Sequence, residues 1–224
     1  MVIGVGGQIP INGKIRYMAS TDIVRNFFRT HIRTIAHWLN SVSGGKLKPN
    51  TVTTVGVAMH LPIAILIAEH ELLWAAVLLV FFGLFDTLDG ELARIQHTAS
   101  NRGMLYDAAT DRIKEILLYS GIAYALTTSH QARWAFVAAT ACGASITVSF
   151  IKAKGEAALA LQQNVTDHHA LNYHFKAGLA PFEVRMTILV LGLLSNQLLA
   201  ATVLIAVLAS VNIWSRLRMI NEQL

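Results

Sequence analysis

Four aspartates give the clearest chemical signal in the sequence. Asp86 and Asp89 are three positions apart, and Asp107 and Asp111 are four positions apart. On a helix, either spacing places both carboxylates on one face. Because only a short link separates the two pairs, we expect them on antiparallel neighbouring helices, facing each other at similar depth.

Carboxylates held this close together require cations. Like charges repel one another, and burial adds a further penalty to the ionised form. Oxygen-only ligands favour Mg²⁺, Mn²⁺ or Ca²⁺ over zinc or copper. Two such ions, about 3.5–4 Å apart, would form a clamp for a diphosphate. We therefore predict two divalent ions per site, either Mg²⁺ or Mn²⁺.

Small and basic residues accompany the acids. Gly90 and Gly103 carry no side chain, Ala93 is small, and Arg94 offers a planar fork for phosphate. Such neighbours would let a ligand approach the backbone. The alternative is that the glycines and the alanine only allow tight helix packing, which would not explain the four acids.

The elements that position these residues are predicted to lie in a membrane. The chain of 224 residues is 54% hydrophobic and only 14% charged, whereas soluble domains carry about 25% charged residues. Too few polar residues are present to cover a water-facing surface, so the apolar surplus must face lipid. The net charge of +5 indicates anionic lipid headgroups as a partner rather than nucleic acid.

Six apolar stretches are interpreted as transmembrane helices, each of which needs about 20 residues. We therefore predict an all-α integral membrane protein with six spans, at residues 51–69, 72–94, 103–128, 132–154, 184–196 and 197–215. The acids fall near one end of the second and third spans. The chain divides into an N-terminal segment, 1–48, and a six-helix membrane domain, 49–224.

An amphipathic helix is predicted within residues 20–45, before the first span. Arg25, Arg29 and Arg33 share one face of it. Apolar residues at helical spacing occupy another face: Ile23, Phe27, Phe28, Ile32, Ile35, Trp38 and Leu39. This pattern is typical of a juxtamembrane helix that lies on the membrane surface. A soluble cap helix packed on the bundle is the alternative.

The distribution of charge predicts the orientation. Of the 18 Lys and Arg residues, only Arg133 falls in the connections after the first, third and fifth spans. Cytoplasmic loops are enriched in Lys and Arg. Both termini and the acidic site are therefore expected on the cytoplasmic side of the cell membrane.

A polar connection at residues 162–180 carries His168, His169 and His174. Histidines can ligate metal, but no cluster of cysteines or carboxylates accompanies them. We expect an interfacial loop here rather than a metal site.

The acidic stretch resembles the signature of the CDP-alcohol phosphotransferase family, D-x2-D-G-x2-A-R-x8-G-x3-D-x3-D. All eight fixed positions match: Asp86, Asp89, Gly90, Ala93, Arg94, Gly103, Asp107 and Asp111. The six-span layout and the amphipathic N-terminal helix are also similar to that family.

This resemblance implies a reaction and a role for each residue. Asp86, Asp89 and Asp107 would hold the metals, and Asp111 would both bind metal and act as the general base. The CDP pocket would be formed by Asp86 and its small and basic neighbours: Gly90, Ala93, Arg94 and Gly103. The implied substrates are a CDP-lipid donor and an alcohol acceptor, with CMP as the leaving group. The family also suggests a homodimer.

The beginning of the first span resembles the family as well. Residues 48–56, KPNTVTTVG, are similar to its Pro-Asn/Asp-x-x-Thr-x-x-Gly segment, whose polar side chains line the cytidine pocket. Asn50 and Thr53 would then contact the nucleotide. Capping of the helix start by Asn50 or Thr51 is the alternative, and both roles remain open.

Residues 149–157, SFIKAKGEA, resemble the SYIKARAEA run of bacterial phosphatidylinositol phosphate synthases. There a basic pocket holds the phosphate of inositol phosphate. The matching cations here are Lys152, Lys154, Arg185 and Arg216, although Lys154 replaces an arginine and the residues before Arg185 differ. The alternatives are glycerol 3-phosphate as the acceptor and cations that serve only as membrane anchors.

An ion-coupled membrane transporter is the rival class, since acids within spans also mark ion paths. That class predicts acids near the middle of the membrane and interrupted helices. The acids here lie near the predicted cytoplasmic ends, which favours the enzyme.

Overall fold

A computed structural model describes residues 20–163 and 181–222, and every regular element in those ranges is a helix. A short 3-10 turn covers Ala132–Trp134. The α-helices, numbered in chain order, are α1 Ser20–Val42, α2 Pro49–Ala68, α3 Leu72–Gly83, α4 Phe85–Ile95, α5 Asn101–Thr128, α6 Phe136–Gln163, α7 Phe182–Leu194 and α8 Leu198–Asn221. The predicted all-α class is confirmed for this part of the chain. The three histidines predicted to lie in a loop fall outside the described residues.

Four of the six predicted spans are long and apolar enough to cross a membrane: Pro49–Ala68, Leu72–Ile95, Ala132–Ala158 and Leu198–Asn221. The other two differ for separate reasons. α5 is long, but six of its first 15 residues are charged. α7 has only 13 residues, a rise of about 20 Å, against a hydrocarbon core of about 30 Å. The count of six spans therefore stays a prediction.

The helix that carries the first acidic pair begins at a change in composition. α3 is apolar throughout, whereas α4 carries Asp86 and Asp89 immediately after the break at Leu84. Aromatic rings pack around this break, and the rings of Phe82 and Phe85 lie 5.0 Å apart between centroids. Phe85 also faces Gly56 of α2. This packing fixes the orientation of α4 against the first span.

The N-terminal helix packs on the bundle through one stripe. Ile32 and Ala36 of α1 are buried against Leu88 and Leu92 of α4. Exposed apolar side chains occupy other positions of the helix, including Ile35, Trp38 and Val42. The helix thus covers α4, as the cap alternative requires, and retains an exposed apolar surface. Its location on a membrane surface stays a prediction.

Small residues let two pairs of helices approach closely. A Cβ atom at Gly121 of α5 would overlap the carbonyl oxygen of Ala64 in α2. A Cβ at Gly192 of α7 would overlap the side chain of Ala201 in α8. Close approach of this kind is how helices pack where lipid supplies no hydrophobic drive. The α2–α5 crossing lies on the same two helices that carry Thr53 and the second acidic pair.

We predict that Gly121→Ala lowers the apparent Tm of the detergent-solubilised protein by about 2–10 °C, because overpacking costs about 1–3 kcal/mol. Gly143→Ala is the matched control, since a Cβ there meets nothing within 4 Å and alanine favours the helix. Differential scanning fluorimetry measures both. Equal losses in the two variants would contradict the close crossing.

Candidate functional site

The structure brings the four predicted acids together. Asp86 and Asp89 project from the first turns of α4, and Asp107 and Asp111 from the first half of α5. Asp89 is buried, and the other three are half-buried. Each acid lies within electrostatic range of at least two of the others. The expectation that the two pairs face each other therefore agrees with the described geometry.

The carboxylates fit a cation in their chemistry. Among the side chains that the structure describes, no group of three or more His, Cys, Asp or Glu residues is already arranged to hold a metal ion. Oδ1 of Asp107, however, is buried and has no hydrogen-bond partner among the described residues. An unsatisfied buried carboxylate oxygen is costly, and a hard divalent ion is a suitable partner for it. The acids therefore offer oxygen ligands from two helices.

A buried lysine stands among the acids. Lys114 of α5 is 1% exposed, and its ammonium contacts the carboxylates of Asp86 and Asp111. The distance from Nζ to Oδ1 of Asp111 is 3.3 Å. Lys114 thus links the two acidic pairs. Sequence reasoning did not single out this residue.

Lys114 and its neighbour Glu115 were not among the site residues predicted from the sequence. The segment Asp111–Glu115 carries four ionisable side chains in five residues, inside a predicted span. Ionisable residues within spans are expensive and default to function. Applied to Lys114 and Glu115 as well as to the aspartates, that rule would have found both.

Thr53 orients an acid. Its side chain is buried in α2, and its hydroxyl donates a hydrogen bond to Asp89.

The alternative that the side chain of Asn50 or Thr51 caps the start of α2 is wrong. Lys48 occupies the N-cap position without a side-chain cap, because Pro49 already begins the helix. Asn50 is exposed in the first turn.

The small residues beside the acids have different surroundings. A Cβ at Gly90 would meet nothing within 4 Å, so tight packing does not account for this glycine. Gly103 lies in the first turn of α5, where its N–H donates to Oγ of Ser100 at 3.2 Å. Arg94 is exposed, and Nη1 lies 2.7 Å from Oε1 of Glu91. Ala93 is half-buried.

One of the predicted phosphate-binding cations is already engaged. Arg185 of α7 is 1% exposed, and Nη2 lies 2.8 Å from Oε1 of fully buried Glu115. Arg112 contacts the same glutamate, with 3.0 Å between Nη1 and Oε2. Removing one partner of a buried pair leaves an uncompensated charge. Arg185 therefore has a structural role whatever else it binds.

Arg216 offers unsatisfied donors. It is 5% exposed in α8, and among the described residues Nε and Nη1 have no hydrogen-bond partner. It lies within electrostatic range of Arg185 and Glu156. Lys152 approaches the same glutamate at 3.6 Å. Lys154 differs, because it is exposed and its ammonium lies 5.9 Å from the ring centroid of Phe150.

Curated relatives match about half of the chain. A phosphatidylinositol phosphate synthase of Corynebacterium glutamicum is 39% identical over 115 residues, which is 50% of this chain and 52% of that protein. The Mycobacterium marinum protein of the same name is 34% identical over 113 residues, 50% of this chain and 48% of that protein. The matched segments thus span about half the length of these relatives.

Solved structures match more of the chain. Mycobacterium tuberculosis phosphatidylinositol phosphate synthase (PgsA1) with CDP-DAG bound has a TM-score of 0.70 and 25% identity, covering 84% of this chain and 92% of that one. The same enzyme in complex with manganese and citrate has a TM-score of 0.69 and 24% identity, covering 84% and 88%. The second likeness shows the fold alone.

A family model described as CDP-alcohol phosphatidyltransferase matches residues 46–214, well over half of the chain. Together with the four helices that are long and apolar enough to cross a bilayer, this match identifies a multi-pass membrane protein. The chain belongs to the CDP-alcohol phosphatidyltransferase family.

Proposed function

We propose that this protein transfers a phosphatidyl group from a CDP-lipid to the hydroxyl of a polar, phosphorylated alcohol and releases CMP. The observation that carries the proposal is the meeting of Asp86 and Asp89 with Asp107 and Asp111 across α4 and α5. Family membership supports the reaction class, and PgsA1 with CDP-DAG bound supports CDP-diacylglycerol as the donor.

The four acids would hold divalent metal. The orphaned oxygen of Asp107 and the mutual repulsion of the carboxylates both call for it. Bound Mg²⁺ or Mn²⁺, with two ions per site, would supply charge neutralisation for a diphosphate. The relative solved with manganese supports this choice of cation. Thr53 would keep Asp89 in a fixed orientation through its hydrogen bond.

Asp111 would act as the general base. Its side chain keeps 22% of its surface exposed, so an acceptor hydroxyl can approach it. It is also linked to the cationic region, because Nη2 of Arg112 lies 3.8 Å from Oδ2 of Asp111 and Nη1 contacts Glu115. Asp111 would take the proton of the hydroxyl as that oxygen attacks the β-phosphorus, and CMP would leave.

The CDP group would lie over α4 and the beginning of α2. The open space beside Gly90 and the exposed guanidinium of Arg94 suit a nucleotide diphosphate. Exposed Asn50 would contact the cytidine, and Thr53 would act through Asp89. The remaining members of the pocket would be Asp86, Ala93 and Gly103.

The acceptor phosphate would bind at Arg216 and Lys152. The unsatisfied donors of Arg216 support this assignment. Arg185 would shape the pocket from its pair with Glu115, and Lys154 would lie at its periphery. Inositol phosphate is the proposed acceptor, because the curated relatives are named phosphatidylinositol phosphate synthases. Glycerol 3-phosphate is the alternative.

The membrane arrangement extends this proposal. We infer six spans, in which α5 and α7 cross beside the four more apolar helices, with both termini and the active site on the cytoplasmic side. α1, within the N-terminal segment 1–48, would lie on that surface, ahead of the membrane domain at 49–224. A homodimer is the proposed assembly.

We predict that CMP release requires CDP-diacylglycerol, Mg²⁺ or Mn²⁺ and an acceptor together. Purified protein is assayed with inositol phosphate, glycerol 3-phosphate, serine and free inositol. Inositol phosphate should give the highest kcat/KM. A higher value with glycerol 3-phosphate would reassign the acceptor, and CMP release that ignores divalent ions would contradict the metal site.

Asp111→Asn should lower kcat for CMP release by about 10²–10⁴-fold, the usual contribution of a general base. The assay is repeated at rising Mg²⁺ until the rate no longer changes, so that weakened metal binding is separated from lost proton transfer. Glu69→Gln is the control, an exposed acid in the α2–α3 connection. A near wild-type rate for Asp111→Asn at saturating Mg²⁺ would remove Asp111 from this role.

Arg216→Ala should raise KM for the phosphorylated acceptor about tenfold or more, because a hydrogen bond to a charged group contributes about 1.5–3 kcal/mol. KM for CDP-diacylglycerol should stay unchanged. Arg133→Ala, in the 3-10 turn after α5, is the matched control. An unchanged acceptor KM would exclude Arg216 from the pocket.

A further inference from the structure

The ammonium of Lys114 lies between two carboxylates, where a bound metal ion would also find its ligands. Its ammonium contacts Asp86 of α4 and Asp111 of its own helix, one from each acidic pair. Both acids keep about a quarter of their side-chain surface exposed, whereas Lys114 is buried. The lysine therefore contacts the two carboxylates from the buried side of the cluster, and both carboxylates keep an accessible surface.

The positive charge of Lys114 affects both metal binding and the packing of the metal-free helices. Four carboxylates carry four negative charges, and the ammonium already offsets one of them. A positive charge about 4 Å away weakens the binding of any further cation. The same ammonium gives the acids a partner when no metal is bound, so the two helices can pack before an ion arrives.

We propose that Lys114 is an internal counter-ion that holds Asp86 and Asp111 in the metal-free protein and competes with divalent metal for them. This proposal rests on the metal site proposed above. Lysine suits the task, because its charge is compact and its four-carbon stem is flexible. The ammonium can withdraw from one carboxylate when that oxygen binds an ion and remain attached to the other.

The neighbouring ion pair of Arg185 and Glu115 differs from the contacts of Lys114 in its burial. Arg185 and Glu115 are both fully buried, so their bond is a permanent structural contact. The partners of Lys114 are reachable from outside, which is the condition for exchange. Placing Lys114 three residues after Asp111 keeps the ammonium within reach of that acid on one helix face.

The test is Mn²⁺ binding to purified protein in detergent, measured by isothermal titration calorimetry. Lys114→Met removes the charge and keeps much of the stem. We expect it to bind Mn²⁺ about tenfold more tightly than wild type, a change of about 1.4 kcal/mol. Lys114→Arg keeps the charge and should bind no more tightly than wild type. Lys46→Met, an exposed lysine before α2, controls for the loss of one charge elsewhere.

A second readout uses the Tm of each variant with and without Mn²⁺. The gain in Tm on adding Mn²⁺ should be larger for Lys114→Met than for wild type, and Lys114→Gln replaces the methionine variant if that one fails to fold. Unchanged or weaker Mn²⁺ binding in the folded neutral variants would overturn the proposal, as would equal tightening in Lys114→Arg. Absence of Mn²⁺ binding in the wild type would instead remove the metal site itself.

Discussion

Burial of negative charge determines which residues surround the acidic cluster. Each of the four carboxylates lies within electrostatic range of at least two of the others. Their neighbours each reduce that repulsion or fix its geometry. Lys114 contacts two acids, and Thr53 holds a third. Oδ1 of Asp107 is buried with no hydrogen-bond partner in the described part of the chain, and a cation would satisfy it.

The helices are arranged so that this charge can be concentrated. The break after α3 lets an apolar helix continue into a polar one, and the rings of Phe82 and Phe85 hold that junction. The crossing at Gly121 and Ala64 brings α5 against α2, so that residues from three helices reach one site. A second, basic group of residues lies beyond Arg112, which links Asp111 to Glu115. Helix α5 therefore carries side chains of both the acidic cluster and the ion pairs beside it.

Much of this arrangement could be predicted from the sequence. The spacing of the aspartates places each pair on one helix face, and the long apolar stretches predicted the helices that carry them. The roles of Lys114 and Glu115 could not be predicted, because their partners lie on other helices and spacing does not reveal tertiary contacts. The same limit applies to Thr53, whose partner Asp89 is 36 residues away. The capping alternative for Asn50 or Thr51 was wrong at α2, because Pro49 takes the first helical position and Lys48 is therefore the N-cap residue.

The short helix α7 has a consequence for how the protein is made. With 13 residues and a buried arginine, it is a poor substrate for insertion by itself, since a cation in hydrocarbon is costly. It follows α5 in the chain, so Glu115 is already synthesised when Arg185 leaves the ribosome. It is also joined to α8 by a tight turn and the contact of Gly192 with Ala201. In the six-span arrangement proposed above, the two helices are therefore suited to enter the bilayer together, as a hairpin that joins the helices already inserted.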